Sequence, residues 1–452
     1  MNRLLTLSVV DGRYADLTER LRPVLSEFGL IRQRVRVEIE YFIFLSGLGL
    51  FELLNERKAE LKNIYENFTL EQAEQIKEIE RKTKHDVKAV EYYLREQIEP
   101  ELHHFIHFGL TSEDVNSTSY MLMLKESINY HLIPMITAIV DELNDFSCDS
   151  PMLALTHGQP AVTTTMKKEL CVFSDRILSL LDQHYKVPYE NKFGGAVGTL
   201  AGHYITYPEI EWTDKFNEFN KGLGLERLNL TTQVNNYDSL TMRLSFLKHI
   251  NTVLLDLVRD IWSYISRGLF IQALDPDQVG SSTMPQKINP IDFENAEGNL
   301  GLSNALYAFL EDSLPVSRMQ RDLSGSTVIR NLGVAMGHSL IAYSKIRQGL
   351  KKLKINTEVM MKEIKDHEYS IIMEPIQLIL RKHGISNGYE LCKDFSRIGK
   401  APSRKEFTAW VEELPVTTNI RTEILKVNVF KYLGMTAPDG FRGSGERVVR
   451  SA

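Results

Sequence analysis

One short segment of this 452-residue chain concentrates groups that could hold a small anion. Residues 280–290 read Gly-Ser-Ser-Thr-Met-Pro-Gln-Lys-Ile-Asn-Pro, and the glycine and two prolines argue against a helix or strand. The hydroxyls of Ser281 and Ser282, together with Lys287 and Asn289, offer O–H and N–H donors that suit a carboxylate or a phosphate. An ordinary polar connection between two helices is the alternative that these residue types leave open.

Histidines elsewhere in the chain could supply acid–base chemistry. His157 lies between Thr156 and Gly158, ahead of a proline and a predicted helix. A histidine that titrates near neutrality can protonate a leaving nitrogen, although a helix cap or a core position would also account for this one. Surface or core positions would likewise account for the other histidines, and solvation for the arginines, so residue types alone leave their roles open.

Long helices must position these groups. No proline occurs from Glu209 to Asp275, and apolar residues within this stretch recur in steps of three and four. They are Leu247, Ile250, Leu254, Leu257, Ile261 and Ile265. Val253, Val258 and Trp262 widen this stripe, so the pattern predicts a helix that is buried on more than one side, as at the centre of a bundle.

The same periodicity predicts four more long helices. They cover residues 112–146, 163–186, 290–310 and 327–353. The first begins with Thr111 and Asp114 at the spacing of a capping box, and Pro134 within it predicts a kink. Since no alternation of strands and helices is visible, we expect an all-α protein.

Changes in predicted helix length, charge and the frequency of prolines and glycines along the chain predict three domains. Residues 1–110 form short, charged helices, residues 111–363 hold the long helices, and residues 364–452 are broken by prolines and glycines. Helices this long, with apolar residues on several faces, cannot bury themselves within one chain. We therefore expect several chains to associate.

Composition excludes several other classes of function. The net charge is −6, which leaves no electrostatic footprint for nucleic acid or an anionic membrane, so local cations must hold any anionic substrate. The three cysteines form no metal or redox pattern, and no group of His, Cys, Asp and Glu has metal-ligand spacing. Without a signal peptide or a membrane span, we expect a soluble, cytoplasmic protein.

The glycine run 194–198 needs its own interpretation. It does not match a dinucleotide fingerprint, because no strand is predicted before it and its spacing differs. Either its backbone approaches a ligand closely, or it forms a tight turn between helices.

Resemblance to a known family sharpens these expectations. The segment Ser281–Asn289 resembles the signature loop Ser-Ser-x-Met-Pro-x-Lys-x-Asn of the fumarase/aspartase superfamily, with Gln286 where a histidine is usual. Other segments resemble the adenylosuccinate lyase family within it: residues 10–14, 83–91, 105–114, 156–161 and 318–331. The resemblance extends from about residue 8 to at least residue 340 and looks closest to the bacterial branch, while the last hundred residues match less distinctly.

This resemblance implies an all-α, three-domain fumarase/aspartase-like fold with a central long-helix bundle. It also implies a homotetramer whose sites are shared between chains, no cofactor, and elimination of fumarate from adenylosuccinate or from SAICAR, giving AMP or AICAR. Two alternatives are a sister lyase of the argininosuccinate lyase or aspartase type and a non-catalytic, crystallin-like protein. The segments that carry His85, Arg321 and Arg330 argue against the first, since those substrates lack a phosphate. Intact Ser281, His157 and Lys287 argue against the second.

The resemblance also implies roles for individual residues. Ser281 is the base, acting as an alkoxide, although residue chemistry alone would favour Lys287 or a histidine. His157 is the general acid, and Glu294 orients its ring. Ser282, Lys287 and Asn289 are expected to bind the substrate carboxylate. The remaining expected substrate contacts are Arg13, Tyr14, Lys84, His85, Asp86, His107, Thr111, Ser112, Gln233, Asn295, Arg321, Ser326, Thr327 and Arg330, of which the arginines suit bidentate clamping of phosphate and carboxylate.

Overall fold

The structure, a computed structural model of the chain, describes residues 3–146, 149–273, 284, 286–397 and 401–435. Helices dominate it, which confirms the predicted all-α class. In chain order they are α1 Ala15–Thr18, α2 Arg22–Leu25, α3 Glu27–Gly47, α4 Asn55–Glu66, α5 Leu70–Thr83, α6 Asp86–Arg95, α7 Ser112–Ser127, α8 Ile133–Asp145, α9 Met166–Tyr185, α10 Ala201–Thr206, α11 Trp212–Gly222, α12 Asp238–Ser266, α13 Ile291–Ser313, α14 Ser324–Ile329, α15 Leu332–Lys352, α16 Thr357–Ile371, α17 Met373–Lys382, α18 Gly388–Ser396, α19 Arg404–Glu413 and α20 Thr418–Leu425.

In the described part of the chain, six short strands form three two-stranded pairings among these helices. They are β1 Pro151–Thr156, β2 Gln159–Thr165, β3 Glu190–Asn191, β4 Glu226–Arg227, β5 Phe270–Gln272 and β6 Leu353–Ile355. The pairs β1–β2 and β5–β6 are antiparallel, and β3–β4 is parallel. They are too small to change the fold class.

The chain divides into two compact units, each assembled from three separate stretches. The first unit comprises Met1–Ala138, Leu180–Leu255 and Asn295–Lys345. The second unit comprises Ile139–Ser179, Asp256–Glu294 and Ile346–Ala452. The sequence predicted three domains, with boundaries near residues 110 and 363. This division stays a prediction.

Each unit has its own core. In the first unit, α3 packs against α4, α6 and α7 and buries a continuous apolar face that includes Val35 and Ile39. In the second unit, α16 packs on the β1–β2 hairpin, and the C-terminal helices close around Ile376, Val411 and Ile424. Burial of these faces is the main force that holds the helices together.

Helix α12 confirms the apolar stripe in most of its length. Residues from Leu247 to Ile261 on the stripe are at most 1% exposed. Val253 and Val258 are also at most 1% exposed, whereas Trp262 is 46% exposed in the single chain, so its burial stays a prediction.

The helix predicted over residues 112–146 is interrupted rather than simply kinked. A π-helical turn, Ile128–Leu132, separates α7 from α8 and ends just before Pro134. A proline ring clashes with the carbonyl four residues earlier in a regular α-helix, and a π turn relieves that clash. The capping interaction is confirmed, since the Asp114 carboxylate accepts a hydrogen bond from the Thr111 amide at 2.8 Å.

The hairpin β1–β2 was not expected from the sequence. We predicted a helix from residue 163, but β2 extends to Thr165 and α9 begins at Met166. The β-branched run from Val162 to Thr165 favours a strand over a helix. A second departure lies at residues 327–353, where two helices, α14 and α15, replace one.

Candidate functional site

The turn between α5 and α6 carries three of the predicted substrate contacts, all in the first unit. Lys84 ends α5 in the left-handed conformation, with a φ of 57°, and His85 is the N-cap of α6. The ring Nδ1 of His85 accepts a hydrogen bond from the Lys88 amide at 3.1 Å. The neutral ring therefore carries its proton on Nε2, which leaves an N–H available for a ligand.

Asp86, the third residue of this turn, binds two arginines. Its Oδ2 lies 2.6 Å from Nη2 of Arg34 and 3.3 Å from Nη2 of Arg330. Burial raises the pKa of the Asp86 carboxyl, but the charges of Arg34 and Arg330 outweigh burial and bring the pKa below its ordinary value. Asp86 is therefore ionised, and it fixes Arg330 beside the start of α6.

Gln233 connects three segments of the first unit. Its Oε1 accepts a hydrogen bond from Nη1 of Arg321 at 3.0 Å, and its Nε2 donates to the carbonyl of Ala196 at 2.8 Å. Its backbone amide donates to the carbonyl of Gln320 at 3.2 Å. Nη1 of the Arg321 guanidinium is thus oriented by a neutral amide.

The N-terminus of α7 lies beside the same arginine. Ser112 is the first residue of α7, and Oε2 of the next residue, Glu113, is 4.0 Å from Nη2 of Arg321. Burial raises the pKa of the Glu113 carboxyl, and this outweighs the lowering by Arg321 and by the hydrogen bond from Tyr237. The structure thus brings together Thr111, Ser112, Gln233 and Arg321, a helix N-terminus and a cation that suit an anionic group.

A buried ion pair stabilises the protein next to the N-terminus of α7. Nζ of Lys192 lies 2.7 Å from Oδ1 of Asp114, and both side chains are fully buried. The same carboxylate accepts from the amides of Gly194 and Gly195, at 2.7 and 3.2 Å. The run 194–198 is therefore a tight turn held by the protein, and a Cβ on Gly198 would clash with a backbone carbonyl at 2.2 Å. A two-residue strand, β3, precedes it, contrary to the sequence-based prediction.

Replacing Lys192 tests how much this buried pair stabilises the protein. We expect Lys192→Ala to lower the free energy of unfolding by about 3–5 kcal/mol, because it leaves a buried carboxylate without its cation. Urea unfolding followed by circular dichroism measures the change. Lys362→Ala is the matched control, since its ion pair with Asp366 is exposed and contributes little. Equal losses for the two variants would contradict the prediction.

Three other predicted residues meet in the first unit. Nδ2 of Asn295 donates to Oη of Tyr14 at 2.8 Å, and the Arg13 guanidinium lies 5.9 Å from the centre of the Tyr14 ring. Asn295 lies in the first turns of α13, and Tyr14 caps α1. The N-terminal segment and α13 are thus joined through these side chains.

Ser326, Thr327 and His107 complete the first-unit set. Ser326 and Thr327 lie on the short helix α14, half-buried and exposed respectively, one turn before Arg330. His107 lies in the loop before α7 with a φ of 58°, and its Nδ1 is 2.6 Å from Oε1 of Glu38. The structure gives no contact between His107 and the Arg321 group.

His157 lies at the tip of the β1–β2 hairpin in the second unit. His157 and Gly158 form its two-residue turn, with φ values of 54° and 71°. Turns of two residues with positive φ match the twist of the flanking strands. The His157 side chain is exposed and makes no hydrogen bond within the described part of the chain.

The other second-unit residues lie at and before the start of α13. Glu294, in the first turn of α13, accepts a hydrogen bond from the Trp262 indole at 3.3 Å rather than from His157. Lys287 and Asn289 precede α13 in an irregular segment. Ser281 and Ser282 lie outside the described residues. The predicted orientation of His157 by Glu294 therefore has no counterpart within one chain and stays a prediction.

Sequence analysis did not identify the buried residues that contact and hold the predicted site residues. Lys192 and Glu38 are buried charges, and Gln233 was expected only as a substrate contact. A charged residue inside an apolar helical face was the available signal, as for Glu38, which lies three residues after Val35 and four before Phe42. Lys192 lies next to the glycine run but belongs to no periodic pattern, so its partner could not be identified from sequence.

No group of three or more His, Cys, Asp or Glu residues within the described ranges could hold a metal ion. Over the same part of the chain, every helix is too short or too polar to span a lipid bilayer.

Comparison with known families gives two matches along the chain. A family model described as "Lyase" matches residues 45–302, and one described as "Adenylosuccinate lyase C-terminal" matches residues 317–433. The second match covers much of the C-terminal region, where the sequence motifs match less distinctly.

Relatives and solved structures agree with these matches. The chain is 43% identical to an adenylosuccinate lyase of Dictyostelium discoideum, over 96% of this chain and 97% of the relative. It is 40% identical to one of Vibrio cholerae and 39% to one of Escherichia coli, each over 96% of this chain and at least 97% of the relative. In fold it is similar to a fumarate lyase from Mesorhizobium sp. BNC1, with a TM-score of 0.71 at 18% identity over 92% of this chain and 95% of that chain.

Proposed function

Because the chain belongs to the adenylosuccinate lyase family, we propose that it catalyses the β-elimination of fumarate from adenylosuccinate, which leaves AMP. The same carbon–nitrogen lyase chemistry converts SAICAR into AICAR in purine nucleotide synthesis. The observation that carries this function is the identity of about 40% to adenylosuccinate lyases over 96% of the chain. Bacterial and amoebal relatives stand at similar identities, so closeness to the bacterial branch remains a proposal.

The reaction needs two proton transfers, which we attribute to Ser281 and His157. The Ser281 alkoxide removes the proton from the carbon next to a carboxylate, the carbon–nitrogen bond breaks, and His157 protonates the departing nitrogen. The intermediate carries two negative charges on one carboxylate, which Ser282, Lys287 and Asn289 stabilise. Fumarate and the amine of the purine nucleotide are the products, so protons and electrons balance without a cofactor.

The first-unit groups bind the nucleotide. The guanidinium of Arg321, held by Gln233, and that of Arg330, held by Asp86, act as planar clamps for phosphate or carboxylate oxygens. Ser112 and Thr111 offer hydroxyls at the N-terminus of α7, and the remaining contacts surround the base and ribose. Because neighbouring side chains fix these groups before binding, less order is lost when the substrate arrives.

Exposed residues in both units support a shared site in a homotetramer. The His157 hairpin tip and the Trp262–Glu294 pair are exposed in a single chain. So are apolar side chains on the long helices, including Leu302 at 55% and Phe309 at 58%. Association of chains would cover these faces and bring His157 to a site built by its neighbours. We place the tetramer in the cytoplasm, with three domains in each chain.

An activity assay tests the function directly. We expect the purified protein, treated with EDTA and with no metal added, to convert adenylosuccinate into AMP and fumarate. The change in purine absorbance follows the reaction, and chromatography identifies fumarate. Argininosuccinate is the control substrate and should not react, because it lacks the phosphate that the arginines bind. A protein that cleaves argininosuccinate but leaves adenylosuccinate intact would overturn the proposal.

A further inference from the structure

The ring of His107 is hydrogen-bonded to the buried carboxylate of Glu38, a residue that has no role in the proposed reaction. Nδ1 of His107 lies 2.6 Å from Oε1 of Glu38, whose side chain is completely buried on α3. The other oxygen, Oε2, is buried and has no hydrogen-bond partner within the described residues. His107 is thus the one hydrogen-bond partner that the described chain supplies for the Glu38 carboxylate.

Two further carboxylates act on His107, and each has its own cation. Glu91 of α6 is 2.6 Å from Nζ of Lys88. Asp114 of α7 is 2.7 Å from Nζ of Lys192. Glu38 has no lysine or arginine partner within the described chain. An isolated charge in a protein interior is costly, so a positive charge on His107 compensates Glu38.

The backbone holds the ring in this position. His107 has a φ of 58°, a left-handed conformation that is uncommon for residues other than glycine. The next carbonyl, that of Phe108, accepts a hydrogen bond from the buried Tyr41 hydroxyl at 2.8 Å. Strained backbone of this kind persists where surrounding contacts enforce it, and it is often found at functional sites.

We propose that Glu38 is a positioning residue that holds His107 as an imidazolium, so that Nε2 presents a charged N–H donor to the substrate phosphate. The proposal rests on the proposed function, because His107 is one of its expected nucleotide contacts. The His107 side chain is 14% exposed, and Nε2 has no partner within the described chain. A charge-assisted hydrogen bond to phosphate is stronger than one from a neutral ring.

The direction of the His107 pKa agrees with this geometry. Burial lowers the pKa of the ring, but the charge and hydrogen bond of Glu38, with the charges of Glu91 and Asp114, outweigh burial and raise it. A raised pKa in the folded state stabilises the protein fully below the ordinary value of about 6.5. This contribution is lost as the pH rises through the folded-state pKa.

The variant Glu38→Gln removes the charge and keeps a side chain that can accept from Nδ1. Selectively 13Cε1-labelled histidine reports the titration of His107, and loss of one signal in His107→Gln assigns it. We expect His107 in the unaltered protein to titrate above the ordinary histidine range and to titrate at lower pH in Glu38→Gln. At pH 8 the KM for adenylosuccinate should rise roughly tenfold, with a smaller change in kcat. The rise should shrink as the pH falls through the titration of His107 in Glu38→Gln, because both proteins carry the imidazolium below it.

Two controls separate charge from structure. Glu40→Gln removes a carboxylate from the same helix, one that pairs with Lys62, and should leave the titration of His107 unchanged. In a His107→Gln background, Glu38→Gln should add nothing to KM at pH 8. A KM increase of equal size at every pH would overturn the proposal. So would a His107 in the unaltered protein that titrates at or below the ordinary value, an observation that does not require the variant to fold.

The titration needs no substrate, so it separates this proposal from the proposed function. A raised His107 titration in a protein that is inactive on adenylosuccinate would contradict the function and support the charge pair. An ordinary titration in an active enzyme would leave the function standing and refute the role of Glu38.

Discussion

Replacing Ser281 with alanine is expected to lower kcat by about 10²–10⁴ while AMP still binds. If the serine removes the proton, its loss raises the barrier of the chemical step and takes little from nucleotide affinity, because we propose that the first-unit arginines hold the phosphate. Steady-state kinetics give kcat, and calorimetry gives the affinity for AMP. A Ser281→Ala enzyme with near-normal kcat would remove the serine from the mechanism and make Lys287 or His85 the leading candidate for the base.

Two further variants, Lys287→Ala and His157→Ala, distinguish loss of the base from other defects in the site. Lys287→Ala should weaken both binding and rate, because its charge meets the substrate carboxylate in the ground state as well as in the intermediate. His157→Ala should also lower kcat, and it should flatten the limb of the pH profile that reports the general acid. Three variants with the same loss in kcat, KM and pH dependence would instead indicate general damage to the site.

Mixing two inactive variants is expected to restore activity. His157→Ala and Ser281→Ala proteins, allowed to exchange subunits, should form sites in which both residues are intact, if the two come from different chains. After random exchange in an equal mixture, each of the two residues is intact at a given site half of the time, so about a quarter of the sites should be active. The physical reason is the exposed hairpin tip, where His157 makes no hydrogen bond within the described part of its own chain.

The control is a mixture kept under conditions that prevent exchange, which should stay inactive. Light scattering on the active material gives the number of chains in the assembly. A fully active monomer would refute the shared site, and a mixture that exchanges subunits without gaining activity would place both residues in the same chain.

The parts of the fold that follow from local pattern could be predicted from the sequence. The stripe from Leu247 to Ile261 specifies α12, and Thr111 with Asp114 specifies the start of α7. The β1–β2 hairpin could not be predicted by this route. Its threonines were included in the helical periodicity of α9, and the hairpin depends on tertiary packing against α16.

The residues of the site likewise fall into those that short sequence motifs identify and those that only the tertiary structure reveals. Residues in short motifs, such as Lys84, His85 and Asp86, were identified together because they are adjacent in the chain. Lys192 and Glu38 were missed, because a buried charge is recognised by its partner, and the partner is 78 residues away from Lys192 and 69 residues away from Glu38. Only the tertiary structure reveals which charges neutralise each other.

The interleaved composition of the two units has a consequence for how the chain folds as it is made. The first unit needs residues as late as Lys345, and the second unit draws on the chain from Ile139 onward through its C-terminal helices. Neither hydrophobic core can therefore close while the ribosome is still synthesising the middle of the protein. Helical stretches with exposed apolar faces must wait for their partners, and such intermediates are prone to aggregate. Cells that supply chaperones until synthesis ends should thus yield more of the folded protein than those that protect only its first hundred residues.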